Sequence, residues 1–275
     1  MTHSPKPRAV VARRMLTLAT AATTAAIGVS ATAGTQDNLA SALTDDHIVL
    51  AQAAEGEGGE GGEGGGADGN TAQGLQRDLS FMEGHLRAGL ALYEIGDLAA
   101  AKTHMGHPIE EKYDAVADPL EDRGFGQLRE SIVAIAAASE AEAPFDEVKA
   151  AFDTARATIE EVRATMPVRD QILGLVQLTR VAGEEYAVAV EGGTISNLHE
   201  YQDSWGFLQV VQTELEEFAA GGDADVAGVA ADSLDALRAT SAAFGDIQGK
   251  GDFALDPSLM YGAAAKIELD ALELD

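Results

Sequence analysis

The sequence contains no cysteine, and this absence excludes several classes of site. Disulfides, thiolate zinc sites, iron–sulfur clusters and thiol enzymes all need a side chain that the protein lacks. Basic residues are also scarce, because 18 lysines and arginines stand against 46 aspartates and glutamates, which makes the formal net charge −28. A surface with this charge repels nucleic acid and anionic lipid and attracts cations. We therefore expect neither nucleic acid nor an anionic membrane surface among the partners.

The well-known catalytic motifs are absent as well. The sequence has no Gly-x-Ser-x-Gly elbow, no His-Glu-x-x-His motif, no phosphate-binding glycine loop and no dinucleotide fingerprint. It also lacks the Cys-x-x-Cys-His motif that attaches haem, although a haem with His85 or His107 as its axial ligand stays an open alternative. Nothing in the sequence argues for an enzyme, and we predict no catalytic residues.

The N-terminal segment has the layout of an export signal. Residues 1–14 contain basic but no acidic side chains, and residues 15–35 carry no charge and are only mildly apolar. Small residues suited to signal-peptide cleavage occur at two places, which end at Ala33 and at Ala53. We predict a signal peptide over residues 1–33, possible to 53, and a periplasmic or secreted location. The paired arginines of the basic segment fit the twin-arginine route as well as the Sec route.

A glycine-rich tract follows this segment. Residues 54–70 consist mainly of glycine and glutamate and contain no apolar side chain larger than alanine. Such a tract cannot bury enough surface to offset the entropy cost of ordering it. We therefore predict a disordered, self-repelling linker.

Beyond the linker, apolar residues recur at spacings of three and four, and no run alternates as a strand does. This pattern predicts an all-α protein of up-and-down helical hairpins, in two packed four-helix bundles that cover residues 71–166 and 167–275. The helices are expected at about 71–95, 98–118 with a break at Gly106 and Pro108, 128–135, 144–166, 168–190, 196–219, 223–244 and 257–272.

Histidines are concentrated in the first predicted hairpin. His104, His107 and Glu111 stand at positions i, i+3 and i+7 of its second helix, which places them on one face. If the two helices are antiparallel, His85 on the first helix lies opposite His107. The spacing therefore predicts a cluster of three imidazoles with a carboxylate, supplied by Glu111 or Glu110.

Imidazole and carboxylate together suit first-row transition metals, and helical bundles hold such metals between facing helices. We interpret the cluster as a metal site, with iron or copper favoured. A second group of polar residues flanks a glycine turn further along the chain and consists of Glu185, His199 and Glu200. This group either completes a carboxylate-rich site or forms a solvated polar seam.

Two segments resemble proteins of bacterial iron uptake. The stretch from Glu185 through Gly192-Gly193 to Asn197 and Glu200-Tyr201 resembles the extracytoplasmic helical region of oxidase-dependent iron permeases. Residues 106–110, Gly-His-Pro-Ile-Glu, are similar to the Gly-x-His-x-x-Glu motif of imelysin-like periplasmic proteins, although no residue separates the glycine from the histidine. Both resemblances imply a helical, exported protein connected with metal acquisition.

Two functions follow as hypotheses. The first is an exported helical bundle that binds a transition metal, for capture or for delivery to a membrane metal transporter. The alternative is a non-catalytic interaction or scaffold module without a ligand, in which the hairpins present a helical surface and the glycine-rich tract is a tether.

Overall fold

The computed structural model describes residues 71–274, and within this range the secondary structure is entirely helical. The predicted all-α fold of helical hairpins is confirmed. The predicted signal peptide and linker lie outside the described residues. No helix between residues 71 and 274 is long and apolar enough to cross a membrane. The α-helices are α1 (Ala72–Glu94), α2 (Leu98–His107), α3 (Tyr113–Asp122), α4 (Leu128–Glu140), α5 (Phe145–Arg163), α6 (Val168–Ala189), α7 (Leu198–Ala219), α8 (Ala224–Leu237) and α9 (Ser258–Ala271).

Local sequence signals define the first hairpin. The Thr71 side chain accepts a hydrogen bond from the backbone N–H of Gly74 and caps α1. Asp97 caps α2 in the same way, through the N–H of Ala100. Between the two helices Gly96 has a φ of 82°, a conformation that glycine adopts without a steric penalty. The resulting turn is tight, so α1 and α2 run antiparallel and pack along each other.

Two apolar clusters form the core. One consists mainly of side chains from α1 to α5, and the other mainly of side chains from α6 to α9. Helix α1 also packs along α6 and α7, so it contacts elements of both clusters. The division of the chain into bundles at residues 166 and 167 stays a prediction.

Two glycines let α1 and α7 approach closely. A Cβ atom on Gly206 of α7 would collide with the backbone oxygen of Gly84 on α1. A Cβ atom on Gly84 would collide in turn with the ring of Phe207. Both glycines are buried, and each is close in sequence to a polar residue of the same interface, His85 on α1 and Asp203 on α7. The close approach therefore brings these two polar side chains within reach of each other.

We expect Gly206→Ala to push α1 and α7 apart. Because the added methyl group meets a backbone atom, which cannot rotate away, the free energy of unfolding should fall by about 1–3 kcal/mol. Urea unfolding of the purified protein measures this change. Gly228→Ala is the matched control, since a Cβ at that helical position of α8 meets no atom within 4 Å. Equal stability of the two variants would contradict the close-packed interface.

A buried arginine joins three helices near the same interface. The guanidinium of Arg163 on α5 is 2.8 Å from Glu83 of α1, 2.6 Å from Glu214 of α7 and 2.9 Å from Glu160 of its own helix. It also donates a hydrogen bond of 2.9 Å to the hydroxyl of Ser80. Arg163, Glu83 and Glu214 are almost completely buried. The three carboxylates are close enough together to hold a metal ion, but Arg163 already supplies their cation.

The carboxylates of this group differ in their pKa. Burial alone would raise the pKa of Glu83, but the positive charge of Arg163 and of two further arginines outweighs burial and lowers it. Burial raises the pKa of Glu214, and the negative charge of Glu83 adds to this effect against the attraction of Arg163. Glu83 is therefore the ionised partner of Arg163, and the group is a structural ion pair that ties α1, α5 and α7 together.

A candidate metal centre between three helices

Four histidines and an aspartate converge where α1, α2 and α7 meet. His85 comes from the middle of α1, and His104 and His107 come from the last turns of α2. His199 and Asp203 lie on the first turns of α7 and are spaced i, i+4, so they share a face. The predicted first and second groups of polar residues therefore lie at one place in the fold.

A π-helical segment interrupts the chain directly after His107. It spans Pro108–Lys112, and the N–H of Tyr113 bonds to the carbonyl of Pro108, five residues earlier. Proline has no N–H to continue the helical ladder of α2, and this accounts for the irregular turn. Segments of this kind are frequent at functional sites. Here the segment carries Glu111, whose carboxylate is 3.3 Å from Nδ1 of His107 and 3.6 Å from Nε2 of His85.

Asp203 is the residue on which the histidines converge. Its Oδ1 atom is 2.6 Å from Nδ1 of His85 and 2.9 Å from Nδ1 of His104. Its Oδ2 atom is 3.3 Å from Nδ1 of His199. Asp203, His85 and His104 are at most 3% exposed. A single buried carboxylate thus contacts three imidazole rings.

The hydrogen bonds of His104 reveal its protonation state. Its Nδ1 faces Asp203, and its Nε2 is 2.9 Å from Oε1 of Gln202. The Gln202 amide is oriented by its own N–H group, which donates to the carbonyl of Ile247. Because both partners of the ring present oxygen, both ring nitrogens donate, and His104 is an imidazolium.

The rings pack against one another and against an apolar wall. His104 and His199 are stacked, with centroids 4.4 Å apart and planes 7° apart. His107 lies 5.2 Å from His85 and 4.7 Å from His199, measured between ring centroids. Phe81 and Phe207 make edge contacts with His85 and close the site on that side. The histidines are therefore clustered at a distance at which one ion could contact several of them.

Several nitrogen atoms of the cluster lack a hydrogen-bond partner. Nε2 of His85 is buried without one, whereas Nδ1 of His85 lies 2.6 Å from Asp203. Nδ1 of His107 and Nε2 of His199 are also buried without a hydrogen-bond partner. An unsatisfied buried polar atom costs about 1–3 kcal/mol. A cation bound among these rings would satisfy one nitrogen of each.

The pKa values of Asp203 and His104 move apart. Burial would raise the pKa of Asp203, but the electrostatic attraction of His85 and the hydrogen bond from His104 outweigh burial and lower it. Burial would lower the pKa of His104, but the hydrogen bond to Asp203 and its negative charge raise it. Asp203 is therefore held as an anion in the interior of the protein.

The pKa values of His107 and His199 are both lowered. Burial, together with the electrostatic interaction with His85, lowers the pKa of His107 to about 4. Burial also lowers the pKa of His199, and the repulsion from His104 adds to this effect while Asp203 opposes it. Both rings are neutral at pH 7, which is the form in which imidazole binds metal.

The structure brings most of the predicted ligands together. His85, His104, His107 and Asp203 offer ligand atoms that lie within 4.8 Å of one another, and His199, Glu200 and Asp203 form a second such set. Glu110 is exposed, and its carboxylate lies beside Gly106 instead.

Two further predicted residues of the second group, Glu185 and Glu200, lie beside Asp203. Burial raises the pKa of Glu185, and hydrogen bonding to Glu200 and the negative charges of Glu200 and Asp203 raise it further. The site therefore carries several carboxylates next to its imidazoles.

Two residues of the cluster, Asp203 and Gln202, are not among the predicted ligands. The only sequence signal for Asp203 is its i, i+4 spacing from His199. No comparable signal marks Gln202, whose role depends on the packing of α7 against α2.

The donor set fits a first-row transition metal. Imidazole nitrogens suit iron, copper and zinc, and a buried carboxylate balances part of the charge of the ion. Two of the imidazoles are neutral, and buried ring nitrogens of the cluster lack partners. Gly84 and Gly206 also allow α1 and α7 to approach closely, which brings the polar side chains of the two helices together.

Comparison with known proteins gives one match. Residues 168–248 match the family model of the iron permease-associated 4-helix bundle domain. This range contains α6, α7 and α8 and includes Glu185, His199 and Asp203, and it confirms the resemblance of the Glu185–Tyr201 segment to the iron-permease-associated region. No curated protein and no solved structure matches the chain. The similarity of residues 106–110 to imelysin-like proteins stays a prediction.

Proposed function

We propose that the protein binds a transition metal ion between α1, α2 and α7 and carries it as cargo. The ligands are His85, His107 and Asp203, with His104 joining once it has lost a proton. Glu111 completes the site from the π-helical segment. Iron is favoured over copper because of the family match, and copper remains the second choice because imidazole binds it equally well.

One observation carries this proposal. His85 and Asp203 are almost completely buried, and Nε2 of His85 has no hydrogen-bond partner. A protein interior keeps unsatisfied and charged groups of this kind mainly where they have a function. A cation among these residues would satisfy this nitrogen and neutralise the carboxylate.

The biological setting follows from the family match and from the sequence. A domain associated with iron permeases, on a chain with a predicted export signal, suggests work outside the cytoplasm. We infer that the protein captures the ion there, or delivers it to a membrane metal transporter. The predicted linker over residues 54–70 would then let the helical part reach such a partner.

Replacing His107 with alanine should remove metal from the site. Protein purified from the extracytoplasmic compartment of its native cell should hold at least one ion per chain by elemental analysis, and His107→Ala should hold at least one ion fewer. His107 is half-buried, so the helical fold should survive, as circular dichroism will show. Thr103→Ala, an exposed change on the same helix, is the control. Equal metal content in wild type and His107→Ala would contradict the site and favour the interaction module.

Metal binding should release a proton from His104. Burial would lower the pKa of His104, but Asp203 raises it above its ordinary value of 6.5. The ring therefore keeps its proton to a higher pH than an ordinary histidine, and a metal ligand must be deprotonated. Affinity should rise with pH through the pKa of His104 and weaken on acidification. Anaerobic titration calorimetry with Fe²⁺, in buffers of different ionisation enthalpy, counts the protons. We expect His104→Gln to release about one proton fewer per ion than wild type. An unchanged count would exclude His104 as a ligand.

A further inference from the structure

We propose that the site holds two metal ions bridged by Asp203. This proposal rests on the function proposed above and adds a second ion to it. The two carboxylate oxygens of Asp203 contact different histidines. Oδ1 contacts His85 and His104, whereas Oδ2 contacts His199. A carboxylate with this arrangement can hold two ions about 3.5–4 Å apart, as two-metal sites do.

Two sets of potential ligands meet at Asp203. The first ion would be held by His85 and His104, which contact Oδ1, together with His107, whose ligand atom lies within 4.8 Å of theirs. The second ion is held on the Oδ2 side by His199 and Glu200, whose ligand atoms lie within 4.8 Å of each other and of Asp203. The two sets share only Asp203, so neither ion has to take ligands from the other.

The second set shows the same unsatisfied chemistry as the first. Nε2 of His199 is buried without a hydrogen-bond partner, although the ring is held beside His104 by stacking. Glu200 accepts a hydrogen bond from the side-chain amide of Asn197, the cap of α7, which holds its carboxylate at the start of the helix. His199 therefore has Nδ1 beside Oδ2 of Asp203 and Nε2 without a partner, and Glu200 is positioned beside the ring.

The acidic side chains beside the histidines also attract cations. Glu111, Glu200 and Asp203 border the rings. Among the residues that the structure describes, no lysine or arginine forms an ion pair with Glu200 or Asp203.

The experiment counts ions per chain. The full-length protein, freed of metal by a chelator, is titrated anaerobically with Fe²⁺ alone, and tightly bound iron is measured after desalting. Wild type should bind two ions, and the variant His199→Ala/Glu200→Gln should bind one. The milder Glu200→Gln alone should weaken the second ion if the double variant folds poorly. Glu216→Gln, an exposed change on the same helix, should still bind two.

The number of bound ions distinguishes the bridged pair from the single metal site of the proposed function. One ion in wild type would overturn the bridged pair and leave the proposed function intact, whereas no ion would overturn both. Two ions in the His199→Ala/Glu200→Gln variant would place the second ion elsewhere and overturn the pair. X-ray absorption of the loaded wild type should show an iron–iron distance of about 3.5–4 Å, and its absence would overturn the bridge.

Discussion

Asp203→Asn should lower metal affinity by more than about 100-fold. Loss of a residue that only orients a ligand costs about 10- to 100-fold, and Asp203 contacts three histidines directly. Asparagine keeps the size of the side chain and can still accept a hydrogen bond from His104. The variant therefore removes the negative charge and the second carboxylate oxygen while leaving the packing of α7 unchanged.

Competition with a chelator of known affinity measures the effect of this substitution. Circular dichroism of the metal-free variant should match that of wild type. Asp235→Asn provides the control, because Asp235 is a mostly exposed aspartate on α8. Wild-type affinity in Asp203→Asn would show that Asp203 only pairs with the histidines and is not a ligand.

Arg163→Met should destabilise the protein by about 3 kcal/mol. Removing one partner of a buried ion pair costs about 3–5 kcal/mol, because the remaining charge is left in the interior. The lower end of that range applies here. Glu83 keeps ion pairs with Arg87 and Arg156, and Glu214 can take up a proton. Urea unfolding gives the change in free energy, provided that the slope is the same for variant and wild type.

A control and a rescue make this prediction specific. Lys149→Met, on the same helix, removes an exposed ion pair with Asp153 and should cost less than about 1 kcal/mol. Arg163→Met combined with Glu83→Gln and Glu214→Gln should recover part of the loss, since no charge is then left unpaired by Arg163. If Arg163→Met were as stable as Lys149→Met, the buried ion pair would not hold α1, α5 and α7 together.

The helices and the first hairpin could be predicted from the sequence because their causes are local. Apolar spacing of three and four indicates a helix wherever it occurs, and Gly96 followed by Asp97 marks a tight turn with a cap. Given this turn, counting residues along two antiparallel helices places His85 opposite His107. The structure places their ring centroids 5.2 Å apart.

The contribution of α7 could not be predicted, because it depends on contacts between residues about 120 positions apart. The sequence predicts two groups of polar residues, and the structure unites them around Asp203. What unites them is the close approach of α1 and α7 at Gly84 and Gly206. An isolated glycine within a helix does not indicate which other helix packs against it, so the central role of the Asp203 carboxylate was not predicted from the sequence.

The most direct test of the metal site is an anomalous difference map from crystals of the protein loaded with Fe²⁺ under anaerobic conditions. Data collected on both sides of the iron absorption edge identify the element as well as its position. We predict a peak bonded to His85, His107 and Asp203, between α1, α2 and α7. The absence of a peak among these residues, or peaks on exposed carboxylates alone, would contradict the proposal that the buried cluster is a metal site.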